Sequence, residues 1–343
     1  ETRPFALDPS RGVYRVAPGR GSLTIDCVQG DPGGIESDLR RRDITVNAIA
    51  WNPHSDSLVD PTRGCADLEA RLVRLIGEKN LLDDPVRGLR CLRFSVQLDF
   101  DIEESTWAIV TRHAGMLANV SPERIRHEFF QSLLAQGGSR FFCLMEDAGY
   151  APLVCGGLER HDIVAVSART ARNAEAVLRD TEAVLPGAGE HFSEELEKGL
   201  PRSSAFLLAA YLFEECRGYG PLGRVDAAAR RLRLSRRAHR EISGTVRGTR
   251  LIREASGTGL ASGAQRYRLV DGCGTSLPEA LLLTRTLGGL DTASLRGIWS
   301  YAVGPYRRQK ENPLVRGDDI VRALGVEPGP SVGRLLRLVE EAR

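Results

Sequence analysis

Up to residue 78 the chain reads in the short period of β-strands, and from residue 79 it holds helical periodicity almost without interruption. That switch is the strongest constraint on the fold. It leaves an α+β arrangement in which a small β-rich piece is followed by a long all-α body. The strand candidates are GVYRVA (12 to 17), SLTIDCV (22 to 28), and then TVNAIAW with SLVDP, a hairpin turned by NPHSD. Helix starts are marked by Asp84-Pro85 before VRGLRCLRFSVQL and by Ser121-Pro122-Glu123, with serine at the cap and proline at the first helical position. LPGAGE (185 to 190) and ASGTGLASGA (255 to 264) read as loops between helical segments. Val332, Leu335, Leu336 and Val339 form a stripe that should dock on a helical neighbour. No internal repeat or coiled-coil heptad is present.

Composition excludes several classes. A chain of 343 residues with 42% hydrophobic and 27% charged residues suits a soluble globular protein of two or three domains. Its formal charge is only +2, so any contact with nucleic acid must come from local patches. The seven cysteines are scattered without a CxxC pair, which argues against a zinc or redox motif and points to the cytoplasm. No apolar run is long enough to span a membrane, and no signal peptide is recognisable. The first residue is glutamate, so the sequence reads as a fragment or a processed form.

The helix after Asp84 carries the most chemical information. Arg87, Arg90 and Arg93 recur every three residues with Asp84 one step upstream, near one side and drifting gradually around it, while Leu89, Leu92 and Val96 face the core. Such a row of arginines binds a polyphosphate or lies exposed and paired with acids. Asp84 and Arg87 suggest more. Cytosine and adenine offer an amino donor beside an acceptor, whereas uracil and guanine offer a carbonyl beside an N–H. A carboxylate that only accepts and a guanidinium that only donates would match C and A and oppose U and G. The alternative is that Asp84 merely caps the helix and Arg87 is solvated. The run DLRRRDITVNAIAW (38 to 51) is open in the same way, as an anion site or as a charged helix end entering a buried strand.

DLRRRDITVNAIAW resembles the RRDFTxNAxA motif of the class II tRNA nucleotidyltransferase and poly(A) polymerase family, and DDPVRGLRCLRF resembles its EDPLRxLRAxRF motif. SPERIRHEFFQSLL and the C-terminal PLVRGDDIVRALGVEPGPSVGRLL are similar to further segments, the latter to the tail of CCA-adding members. The resemblance implies that Arg42, Arg90 and Arg93 contact an incoming triphosphate, and that Asp84 and Arg87 read the base. It implies that Asp43 and Asn47 orient the site. It also implies ATP or CTP as substrate, Mg²⁺ in the complete enzyme, and tRNA as partner, with poly(A) addition the alternative activity. The expected division is a partial head at 1–78, a neck at 79–150, a body at 151–254 and a tail at 255–343.

The chain also departs from the family pattern. The GGxVRD turn and the DxD strand that hold Mg²⁺ are absent, and only Asp26 stands where the family's palm has a further acidic residue. The expectation is a chain that starts inside the catalytic domain and, alone, binds RNA and nucleotide without catalysing transfer, because one carboxylate does not support a two-metal mechanism. Asp99 and Asp101 in LDFDIEE mimic a DxD strand, yet they follow the neck helix and read as an inter-helix loop. His161-Asp162 superficially matches the metal pair of a phosphohydrolase but has no second His-Asp partner, so no metal site is expected there. Basic residues at RRLRLSRRAHR (230 to 240) and YRRQK (306 to 310) suit the phosphates of a tRNA, or are simply solvated helix faces.

Overall fold

A computed structural model of the chain describes residues 5–8, 13–16, 25–28, 30, 32–156, 166–214, 220–256, 262–313 and 315–341. The β-rich start and helical remainder follow the sequence pattern. Strands Phe5–Asp8, Val13–Val16 and Ile25–Val28 pair antiparallel in chain order, with Arg15 opposite Asp26. The first of these strands had no sequence signal of its own. Ala50–Asn52 and Ser57–Val59 form the expected hairpin. The TVN of TVNAIAW, read as strand, is instead a 3₁₀ turn at Thr45–Asn47. Tertiary bonds override β-propensity here: Thr45 Oγ1 donates to Asp67 at 2.7 Å, and Arg42 reaches over to the Asn47 carbonyl at 2.8 Å.

The neck helix Val86–Leu98 buries Leu89, Leu92 and Val96 against helices Pro122–Leu133 and Arg140–Asp147. Phe129 meets Phe141 and Phe142 edge-on, and Phe142 stacks on Tyr211 with centroids 4.4 Å apart, joining helix Arg140–Asp147 to helix Arg202–Leu212. Gly88 is required on this helix. A Cβ there would lie 2.0 Å from the Tyr150 hydroxyl, so the glycine lets Tyr150 pack against the turn that carries Arg87 and Arg90. In the body, helix Arg202–Leu212 is buried on every side, between Val166–Arg179 and Arg236–Ser256. The C-terminal helix Pro330–Glu341 docks on Gly317–Leu324 and Gly263–Cys273, with Val332 buried at the contact. Among the described residues no helix is long and apolar enough to cross a membrane. The 257–261 part of the second predicted loop, and His161-Asp162, lie outside the described residues.

Glu103 fixes the start of helix Glu104–Arg112. Its carboxylate accepts from the Thr106 amide at 2.8 Å and the Ser105 hydroxyl at 2.7 Å, and meets Arg74 at 3.1 Å. Partial burial alone would raise this carboxyl, but the Ser105 and Thr106 bonds override it and hold the pKa at about 2. Glu103→Ala is therefore expected to cost about 1 kcal/mol of stability at neutral pH, read by denaturant melts. Since the folded-state value lies below the ordinary 4.5, this contribution is complete above pH 4.5 and is lost as pH falls towards 2. Wild type and variant should therefore converge on acidification.

Candidate nucleotide-binding site

The segment after helix Gly34–Arg40 is clamped before it reaches the hairpin. Thr45 donates its amide to Arg74, Ile76 donates to Asp43, and the Asn80 side chain donates to the carbonyls of Arg40 and Arg42 at 2.9 and 2.7 Å. These bonds present Arg42, Asp43 and Asn47 towards the neck helix. Between the two segments lies a cavity of about 400 Å³ lined by Arg42, Asp43, Asn47, Asp84, Arg87, Arg90 and Arg124. Six of the seven residues expected to bind nucleotide meet there.

Asp43 is the hub of the floor. It accepts from Arg90 Nε at 2.7 Å, from the Ile44 amide at 2.9 Å and from the Asn47 side chain at 3.3 Å. Burial would raise its pKa, but the Arg90 charge and these donors together hold it below the usual carboxylate range. Arg90 also reaches Glu128 at 3.2 Å, so one guanidinium joins the head to two helices of the neck. Arg42 rests on the Asn47 carbonyl and on Asp38, with its side chain nearly half exposed to the cavity.

Arg93 is not at the cavity. Its guanidinium is buried, bonded to Glu128 at 2.6 Å and Gln97 at 2.6 Å, and stacked on Phe94. Steps of three on a helix with 3.6 residues per turn rotate by about 60° each, so two steps from Arg87 turn Arg93 away. Its place in this structure is to hold Glu128, which in turn holds Arg90.

Asp84 differs from the sequence picture in a way that matters. It is an extended residue (φ −148°) between two helices, and the cap of the neck helix is Pro85, with no side-chain hydrogen bond. The capping alternative for the Asp84 side chain is therefore absent. Its Oδ2 accepts from Arg124 at 2.8 Å, and Arg87 Nε stands 3.9 Å away. Its Oδ1 is buried with no hydrogen-bond partner. Arg87 donates to the Arg42 carbonyl at 3.1 Å, which links the base-reading pair to the phosphate side. Arg124 was not singled out from the sequence, although it lies in the quoted SPERIRHEFFQSLL segment.

The four guanidiniums and two carboxylates of the cavity leave it with a net formal charge of +2, suited to a triphosphate. They do not suit Mg²⁺. Both carboxylates already face arginines, and among the described residues no cluster of three or more His, Cys, Asp or Glu could hold a metal. Asp26 lies on strand Ile25–Val28. Asp99 and Asp101 are exposed beside Arg140; Asp99 is the C-cap of the neck helix, and Asp101–Ile102, expected as loop, is a short strand paired parallel with Leu72–Val73.

A second cavity, of about 750 Å³, is lined by residues from 191–241 and from 270–310. Both basic stretches reach it, through Arg237 and Arg240 from the first and Tyr306, Arg307 and Lys310 from the second. Acids accompany them: Arg237 pairs with Glu194, Arg307 with Glu311 and Lys310 with Asp271.

Residues 18–74 match the poly A polymerase head domain, and residues 99–154 match a domain described as a probable RNA and SrmB-binding site of polymerase A. The CC-adding tRNA nucleotidyltransferase of Geobacter sulfurreducens is 31% identical, aligning 99% of this chain with 77% of that protein. The A-adding tRNA nucleotidyltransferase of Deinococcus radiodurans is 28% identical over 99% of this chain and 81% of its own length. A solved structure of a CCA-adding enzyme with ATP shares the fold, with a TM-score of 0.74 at 20% identity, covering 100% of this chain and 76% of that one. Fold, cavity and alignments together define a nucleotidyltransferase. Within that class, the chain belongs to the tRNA nucleotidyltransferase and poly(A) polymerase family.

Proposed function

We propose that the chain selects and holds the nucleotide in a template-independent tRNA nucleotidyltransferase, which adds C, A or both to tRNA 3′ ends from CTP or ATP. The observation that carries this reading is the convergence of Arg42 and Arg90 with the Asp84–Arg87 pair in one cavity. Arg42 and Arg90 hold the triphosphate whatever the base. Asp84 and Arg87 accept from and donate to the Watson–Crick edge of C or A. The RNA 3′-hydroxyl attacks the α-phosphate and pyrophosphate leaves, and the arginines contribute by positioning and by balancing charge. Asp43 and Asn47 hold the floor in place. The relatives named for CC and A addition support tRNA as the substrate in preference to poly(A) tracts. The basic residues of the body–tail cavity are a suitable place for tRNA phosphates. The domain scheme is a partial head, 1–78, then neck, 79–150, body, 151–254, and tail, 255–343.

Among the described residues no group of three or more His, Cys, Asp or Glu is placed to hold Mg²⁺. Residues 1–343 expressed alone are expected to bind CTP, ATP and tRNA, the tRNA with strong salt dependence, and not to extend it. The test uses filter binding at two salt concentrations together with labelled CMP or AMP incorporation. Its substrates are tRNA ending before CCA, tRNA ending in CC, and a non-tRNA 3′ end. Robust incorporation by residues 1–343 would overturn the expectation that they do not extend tRNA. A preference for the non-tRNA end, in any active form, would favour poly(A) addition.

A further inference from the structure

Asn80 is the third residue of the short helix Glu78–Asp83, a place where an asparagine does little for the helix itself. Its side chain serves another segment. Nδ2 donates to the Arg40 carbonyl at 2.9 Å and to the Arg42 carbonyl at 2.7 Å, so both N–H groups of the amide go to the stretch that carries the phosphate-side arginine. Those carbonyls lie at the C-terminal end of helix Gly34–Arg40, where a helix leaves its last acceptors without partners of its own. Asn80 does not line the cavity.

Arg42 is oriented from within its own segment, by the Asn47 carbonyl and by Asp38. What remains to be fixed is the place of that whole segment, 38–47, against the neck helix. Beside the backbone bonds of Asp43 and Thr45 to Ile76 and Arg74, Arg90 fixes it through Asp43, Arg87 through the Arg42 carbonyl at 3.1 Å, and Asn80 through two carbonyls. Arg87 and Arg90 also line the cavity, where they meet the ligand. Asn80 serves placement alone.

We propose that Asn80 is a positioning residue for triphosphate binding: its two bonds hold the 38–47 segment at the place where Arg42 and Arg90 act on the same triphosphate. The inference rests on the phosphate-holding role of Arg42. Asn80 therefore acts on affinity for the triphosphate that all nucleotides share.

The experiment measures CTP, ATP and inorganic tripolyphosphate affinity by calorimetric titration, well below the melting temperature of each protein. The proteins are wild type, Asn80→Leu, Asn80→Ala, Arg42→Ala, and each Asn80 variant combined with Arg42→Ala. Leucine is close to asparagine in size and adds no charge, so it removes the two donors alone. Both Asn80 variants are expected to weaken all three ligands by one common factor, roughly fivefold. In the Arg42→Ala background either should add less than about twofold, the non-additivity of residues acting as a unit. Unchanged affinity with a lowered melting temperature would make Asn80 a support of the fold only and overturn the proposal. A full further loss in the combined variants, or a loss confined to one nucleotide, would show that Asn80 does not act through Arg42 and overturn it too. These results leave the role of Arg42 standing. Tripolyphosphate binding by Arg42→Ala as tight as by wild type would overturn both.

Discussion

Arg42→Ala is expected to weaken CTP and ATP binding by the same factor, roughly ten- to a hundredfold, since a charge-assisted contact contributes about 1.5 to 3 kcal/mol. Two features make Arg42 the cleanest probe of the phosphate side. Its guanidinium is already oriented by the Asn47 carbonyl and Asp38, so it meets a ligand without much reorganisation. Of the partners it abandons, Asp38 is well exposed, and the Thr45–Asn47 turn that loses the Arg42 bond keeps its bond to Asp67, so the melting temperature should change little. Arg90→Ala must behave differently. It removes the shared partner of Asp43 and Glu128, both buried; Glu128 keeps Arg93, while Asp43 loses its cation. Full burial of such a pair gives losses of about 3 to 5 kcal/mol, and the one-third exposure of Arg90 reduces this. Calorimetric titration of CTP and ATP, with a melt for each variant, separates the cases. A loss confined to one nucleotide in Arg42→Ala would remove it from the phosphate side.

The contrast between these two arginines shows what the sequence could and could not convey. Leu89, Leu92 and Val96 were legible as a buried stripe because a helix repeats its faces regardless of its neighbours. The arginine row was legible only in part. Spacing placed Arg87 and Arg90 together, but the same spacing carried Arg93 around to Glu128, and which arginine lost contact with the cavity depended on where the head docks. Thr45–Asn47 was misread as strand because its turn is imposed by Asp67, distant in sequence, and by Arg42, a neighbour that folds back. Arg124 left a faint signal, a cation in the first turn of a helix, where the dipole favours acids. Its meaning needed the position of Asp84, which no periodicity fixes.

That position also sharpens the prediction for Asp84 itself. From sequence, Asp84→Ala had two outcomes open, loss of base selection or loss of a helix cap with general decline. The structure assigns the cap position to Pro85 and gives Asp84 only a half-exposed partner in Arg124, so the fold should tolerate alanine within about 1 kcal/mol. Base selection should not. The variant removes the acceptor that an amino group of C or A meets, and removes the repulsion that disfavours the carbonyls of U and G. Sites that leave a polar group unpaired discriminate strongly, so preference for CTP over UTP should fall at least about tenfold, or roughly 1.4 kcal/mol. Arg87 cannot compensate, because a guanidinium has no acceptor to offer. The measurement is the ratio of CTP to UTP affinity. The same ratio should appear in incorporation by any form of the protein that also carries the family's two-carboxylate strand. An unchanged ratio, with melting intact, would mean that Asp84 serves something other than the base, and the base-reading assignment would fall with it.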